Sequence, residues 1–94
     1  MAFVRSFDNP DGTQEQYDAA RSQLGGLDDI PYGGILHVAG PSPKGGWRVV
    51  EIWESEDAAR RFDEERLEPV LRQVGIQRPQ PETWHVHNLV IRSG

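Results

Sequence analysis

Two helix-start signals, each placed directly behind a β-prone run, restrict this chain more than any other feature. Thr13 followed by Gln16 is a capping box, in which the hydroxyl and the amide satisfy N–H groups that a helix start leaves orphaned. Ser55 followed by Glu56 and Asp57 is a second N-cap, with acids facing the positive end of a helix dipole. The run before the first cap is Ala2 to Phe7, closed by the turn residues Asn9-Pro10-Asp11-Gly12, and the run before the second is Trp47 to Trp53. The first helix carries Tyr17, Ala20 and Leu24 on one face, with Gly25 as its expected C′ residue. The second carries Ala59 and Phe62, then Leu67, Val70, Leu71 and Val74. Pro69 lacks an N–H and disfavours helix at Glu68, so a break or kink is expected near Leu67 to Pro69, with a short helical piece up to Gly75.

Two further runs read as strands. Ile35 to Ala39 leads through the Gly/Pro-rich stretch Gly40 to Gly46, a hairpin connection, into Trp47 to Trp53. Thr83 to Arg92 follows the linker marked by Pro79 and Pro81 and is expected to be the last strand. The order β-α-β-β-α-β predicts an α+β, ferredoxin-like fold, a four-stranded antiparallel sheet in strand order 4-1-3-2 with both helices on one face. At 94 residues the chain is expected to be a single domain, 1–94.

Composition narrows the partners. Fifteen acidic against ten basic residues, with Lys44 the only lysine, argue against a nucleic-acid partner, since phosphate binding rests on clustered Lys and Arg. The absence of cysteine removes disulfides, thiolate metal sites and Cys nucleophiles. MAFVRSFDNPDG reaches charge and proline before any long apolar run, so no membrane association is expected and the reading is cytoplasmic.

Side chains alternate faces along a strand, so parity divides the sheet into two surfaces. Val4, Leu36, Val38, Val50, Ile52, Trp84, Val86 and Val90 form an almost purely apolar set, expected beneath the helices. The other set holds Phe3, Arg5, Phe7, Ile35, His37, Ala39, Trp47, Val49, Glu51, Trp53, His85, His87 and Leu89. That face mixes aromatics with charge and imidazole and is too apolar for a soluble monomer to expose. It is expected to be covered by a second copy in a twofold homodimer, two sheets forming a barrel whose polar residues line an interior cavity.

The stretch GGWRVVEIWESEDAARRF, a strand ending in Trp53-Glu54-Ser55 ahead of an Ala-rich helix, resembles the dimeric α/β-barrel proteins, in particular antibiotic-biosynthesis-monooxygenase-like domains. The resemblance implies a homodimer and a small hydrophobic or aromatic substrate. Members include cofactor-free monooxygenases of polyketide-type aromatics, haem-degrading monooxygenases, lactone isomerases and cyclases. Trp53 matches the Trp that lines the cavity of the cofactor-free oxygenases, Val49 stands where they carry Asn, and the second helix has no Tyr. Haem-degrading members hold iron with a His in that helix; here it has none, so no cofactor is expected.

All three histidines and Glu51 fall on the mixed face. A neutral imidazole beside a carboxylate suits a general base for an acidic C–H or phenolic proton, the first need of oxygenation, cyclisation or isomerisation. His85 or His87 is the expected base and Glu51 its partner, with Trp53, His37, Val49, Phe7, Arg5 and Leu89 contacting substrate. The competing reading pairs Glu51 with Arg5 and makes the face a subunit interface of a non-catalytic ligand-binding or assembly protein. His85-x-His87 could chelate a metal, but in order 4-1-3-2 the third histidine, His37, lies roughly 14 Å away within a subunit. Three or four close ligands are needed, so no metal is expected.

Overall fold

The computed structural model describes residues 1–92. Strands β1 (Phe3–Asn9), β2 (Gly34–Pro41), β3 (Trp47–Trp53) and β4 (Glu82–His85) alternate with helices α1 (Gln14–Ser22), α2 (Glu56–Phe62) and α3 (Glu68–Val74). They form one antiparallel sheet in the order β2-β3-β1-β4, the topology expected from the sequence. No helix among the described residues is long and apolar enough to cross a membrane.

Both caps form. The Gln16 N–H donates to Thr13 Oγ1 at 3.1 Å while the Thr13 N–H donates to Gln16 Oε1 at 3.2 Å. Ser55 Oγ accepts from the Ala58 N–H at 3.0 Å. α1 stops at Ser22, short of the expected Leu24, and Leu24 turns back into the core at 3% exposure.

The helix does not break at Leu67 to Pro69, and the disturbance expected there takes the form of a π turn. α2 runs into a π-helical turn, Asp63–Leu67, that continues directly into α3, and the backbone stays right-handed helical at Leu67 and Glu68. A proline cannot donate to the carbonyl four residues back, and the wider π turn ahead of Pro69 absorbs that loss without ending the helix. The helix ends instead at Gly75, whose φ of 75° lies in the left-handed region that glycine enters freely.

The parity division holds, but the helices cover the opposite face from the one expected. Leu24, Ala59 and Phe62 from the helical layer pack on Phe3 and Trp53, with the Trp53 and Phe62 rings 5.1 Å apart. The purely apolar set faces outward, leaving Val38 54% and Trp84 52% exposed. Apolarity alone is a poor guide here, because the charged groups of the mixed face satisfy one another and so can be buried. Its large aromatics also supply more area for the helices to cover than β-branched residues do.

The last strand is shorter than expected. β1 begins at Phe3, and after the Val86 N–H donates to Ala2 O at 2.9 Å no strand among the described residues remains to pair with residues 87–92. His87 and Leu89 consequently lie outside the sheet and are exposed, so they do not share a face with His37 and Glu51.

Candidate active site

The polar centre of the buried face is built across three adjacent strands. Arg5 of β1 stands opposite Glu51 of β3, which stands opposite His37 of β2, so antiparallel register puts a guanidinium, a carboxylate and an imidazole in one row. Arg5 donates to Glu51 Oε1 through Nε at 3.0 Å and Nη2 at 2.8 Å. It donates to Asp63 through Nη1 at 2.5 Å and Nη2 at 3.0 Å. Asp63 is the first residue of the π turn, and Arg78 Nη1 lies 3.0 Å from its Oδ2. The guanidinium carbons of Arg5 and Arg78 each lie 5.3 Å from the centre of the Phe7 ring.

Glu51 is held charged. Burial pushes its pKa up, but His37, Arg5 and the Trp53 Nε1–H, which donates to Oε1 at 3.0 Å, outweigh that and bring it to about 2. Its second oxygen, Oε2, faces His37 Nδ1 at 3.6 Å, an electrostatic contact longer than a hydrogen bond. On the far side of the ring, His37 Nε2 lies 2.6 Å from the Tyr17 hydroxyl of α1. An ionised carboxylate only accepts, so the arrangement favours the tautomer with hydrogen on Nδ1 and with Nε2 accepting the phenolic O–H. Burial raises the pKa of Tyr17, and the charge of nearby Arg21 opposes that rise.

The relay opens into a cavity of about 140 Å³ between sheet and helices, walled by Phe7, Trp47, Val49, Phe62, Leu67, Leu71 and Ile76 among others. Tyr17, His37, Glu51, Arg21 and Arg78 are its polar and charged points. A dry apolar void of about this size accepts a benzene ring, and the cavity is open on one side, so a ligand of two or three fused rings can seat one ring and extend from the mouth. A smaller cavity of about 20 Å³, room for one water, lies beside it against Arg21, His37, Glu51 and Trp53.

Of the residues expected at the site, His37, Glu51, Val49 and Phe7 line the larger cavity. Trp53 borders the smaller one, and Arg5 lies buried in the ion-pair network behind Glu51. His85 and Leu89 are exposed with His87, and His85 packs its ring 5.3 Å from Phe3 at the sheet edge. The cavity is formed within a single chain, between sheet and helices, rather than between two sheets. Tyr17, Arg21, Asp63 and Arg78 are the residues the sequence reading passed over. Tyr17 and Arg21 share one face of α1 at i and i+4, beside Ala20, which is a signal of a polar group turned toward the core. Arg78 sits in a Pro-flanked linker, where no periodicity points to it.

No protein-family model matches the sequence, and a search of curated proteins finds no relative. Among solved structures, the chain superposes on a monooxygenase from the gene ActVA-Orf6 of Streptomyces coelicolor, crystallised in complex with the ligand nanaomycin D. The TM-score is 0.53 at 22% identity, over 98% of this chain and 91% of that one. The two proteins share a fold. That agreement spans nearly the whole of this chain, so its ferredoxin-like arrangement is also the fold of that monooxygenase.

Proposed function

We propose that this chain is a homodimeric, cofactor-independent enzyme that takes a proton from a planar hydrophobic substrate and passes the resulting carbanion to dioxygen. The Tyr17–His37–Glu51 row opening into an apolar cavity carries this reading. Tyr17 receives the substrate proton as its own passes to His37 Nε2, and the imidazolium so formed faces an ionised Glu51, which orients it without taking the proton. In the net reaction a substrate methylene and one molecule of dioxygen give a ketone and one molecule of water. Both C–H bonds of the methylene break, one carbonyl forms, and dioxygen accepts four electrons. Cyclisation or isomerisation of the carbanion would use the same relay and consume no oxygen. Trp53 holds the carboxylate through its indole N–H instead of stacking on substrate.

The fold shared with a monooxygenase whose crystals hold nanaomycin D supports the oxygenase form. The open sheet face, with Val38 and Trp84 about half exposed, and the exposed Leu89, Val90 and Ile91 support dimerisation through that face.

The test is oxygen uptake with 1,8-dihydroxyanthrone, whose methylene is flanked by two aryl rings, and without added flavin or metal. Protein-dependent uptake with formation of the anthraquinone is expected, and Tyr17→Phe should lower the rate at least ~100-fold. An unchanged rate in Tyr17→Phe would remove the relay, and binding of the anthrone without uptake would favour a non-catalytic ligand carrier.

A further inference from the structure

Among the described residues, the buried side-chain polar atoms without a hydrogen-bond partner are Arg21 Nε, Trp47 Nε1 and Arg78 Nη1. All three are donors, and all three belong to residues that line the 140 Å³ cavity. Buried polar groups are nearly always satisfied, so three orphaned donors leave the wall of this cavity positive and short of acceptors, an environment that favours a ligand bringing negative charge.

Charge accounting sharpens this. Arg5 is matched by Glu51 and Asp63, and Arg78 Nη1 has Asp63 at 3.0 Å as an ion-pair partner, though outside hydrogen-bonding geometry. Two guanidiniums thus meet two carboxylates. Arg21 has no such match. It is only 5% exposed, and its Nη2 donates to the backbone carbonyls of Leu27 at 3.2 Å and Asp29 at 2.6 Å. None of the ion pairs among the described residues, drawn at N···O distances up to 4.0 Å, includes it. A buried cation satisfied only by carbonyl dipoles is unusual, because buried charges are normally paired. Arg21 lies one helical turn beyond Tyr17 on α1, so the unpaired charge and the relay face the same space.

We propose that Arg21 is an oxyanion-recognising residue, and that the ligand of this cavity is an aromatic compound carrying an ionised oxygen that completes the Arg21 guanidinium. Guanidinium is suited to this task because its charge is permanent and its N–H groups are fixed in a plane that matches carboxylate geometry. The inference rests on the reading of the cavity as a substrate site and narrows its substrate class. It also gives Arg21 a part in the reaction, since negative charge developing on a substrate oxygen during proton removal forms beside a preorganised cation.

The experiment compares 2-naphthoate with 2-naphthamide, nearly isosteric probes that differ in charge, by isothermal titration calorimetry. Wild-type protein should bind 2-naphthoate at least tenfold more tightly than the amide. Arg21→Met should abolish the preference while keeping the affinity for 2-naphthamide, and Arg21→Lys should keep part of it. Equal binding of the two probes by the wild type, or a preference that survives in Arg21→Met, overturns the role of Arg21 and leaves the cavity reading standing. Failure of the wild type to bind either probe overturns both. If circular dichroism shows Arg21→Met to be unfolded, the wild-type affinity ratio together with Arg21→Lys decides the matter.

Discussion

Replacing Glu51 by Gln removes one charge from the centre of the buried network while keeping its shape, and the cost can be worked out from the geometry. In the folded protein the carboxyl has a pKa of about 2, against an ordinary value of 4.5. A depressed carboxylate contributes stability that is complete above its unfolded pKa and is lost as pH falls through its folded pKa, here between about 4.5 and 2. A gap of roughly 2.5 units at about 1.4 kcal/mol per unit amounts to about 3 kcal/mol at neutral pH. That agrees with the roughly 3–5 kcal/mol lost when one member of a buried ion pair is removed. Urea unfolding at pH 7 should therefore find Glu51→Gln less stable than wild type by about 3 kcal/mol. At pH 3 the wild-type carboxyl takes up a proton on unfolding, and the gap should shrink to about 1 kcal/mol. Taking the difference between the two proteins at each pH cancels the titrating groups that lie outside the Glu51 network. A gap that is the same at both values, or no gap at pH 7, would refute an ionised Glu51 held by Arg5, His37 and Trp53.

Other outcomes follow from the same structure. Trp53→Phe keeps an aromatic ring beside Phe62 but removes both the indole donor to Glu51 and part of the buried ring, so it should weaken stability by at least about 1–3 kcal/mol, measured by the same urea titration. Ser55→Ala deletes the acceptor for the Ala58 N–H and should cost about 1 kcal/mol by thermal or urea unfolding. Trp84→Glu places a charge on the open face of the sheet, and sedimentation velocity should find it monomeric at concentrations where the wild type is dimeric.

The fold was readable because its determinants are local. The Thr13–Gln16 box and the Ser55 cap mark two helix starts, and alternation along Phe3–Asn9 and Trp47–Trp53 marks the strands between which they lie. Parity also grouped Arg5, Phe7, His37, Val49, Glu51 and Trp53 correctly, since a period of two is a geometric property of a strand. Which face the helices choose is not local. It depends on whether Arg5, Glu51 and Asp63 can neutralise one another, and Asp63 comes from a π turn just ahead of the segment where Pro69 predicts a break or kink. The reach of the last strand was misjudged for a related reason. Residues 86–92 have β-prone side chains, but a strand needs a neighbour, and β1 starts too late to provide one. His87 was thus placed with Glu51 by parity and separated from it by the end of pairing, and His85 keeps that face, opposite Phe3, but lies exposed at the sheet edge outside the cavity, while Tyr17 entered the site from a helix face read only as core.

The placement of the base within each subunit is tested most directly by comparing two histidine variants in the oxygen-uptake assay. His37→Ala should lower anthrone-dependent uptake at least ~100-fold, because it breaks the link between Tyr17 and Glu51. The double variant His85→Ala, His87→Ala should keep the wild-type rate, since both side chains lie exposed outside the cavity. The reverse result, with uptake lost in the double variant and retained in His37→Ala, would contradict the account and return the chemistry to the edge of the sheet.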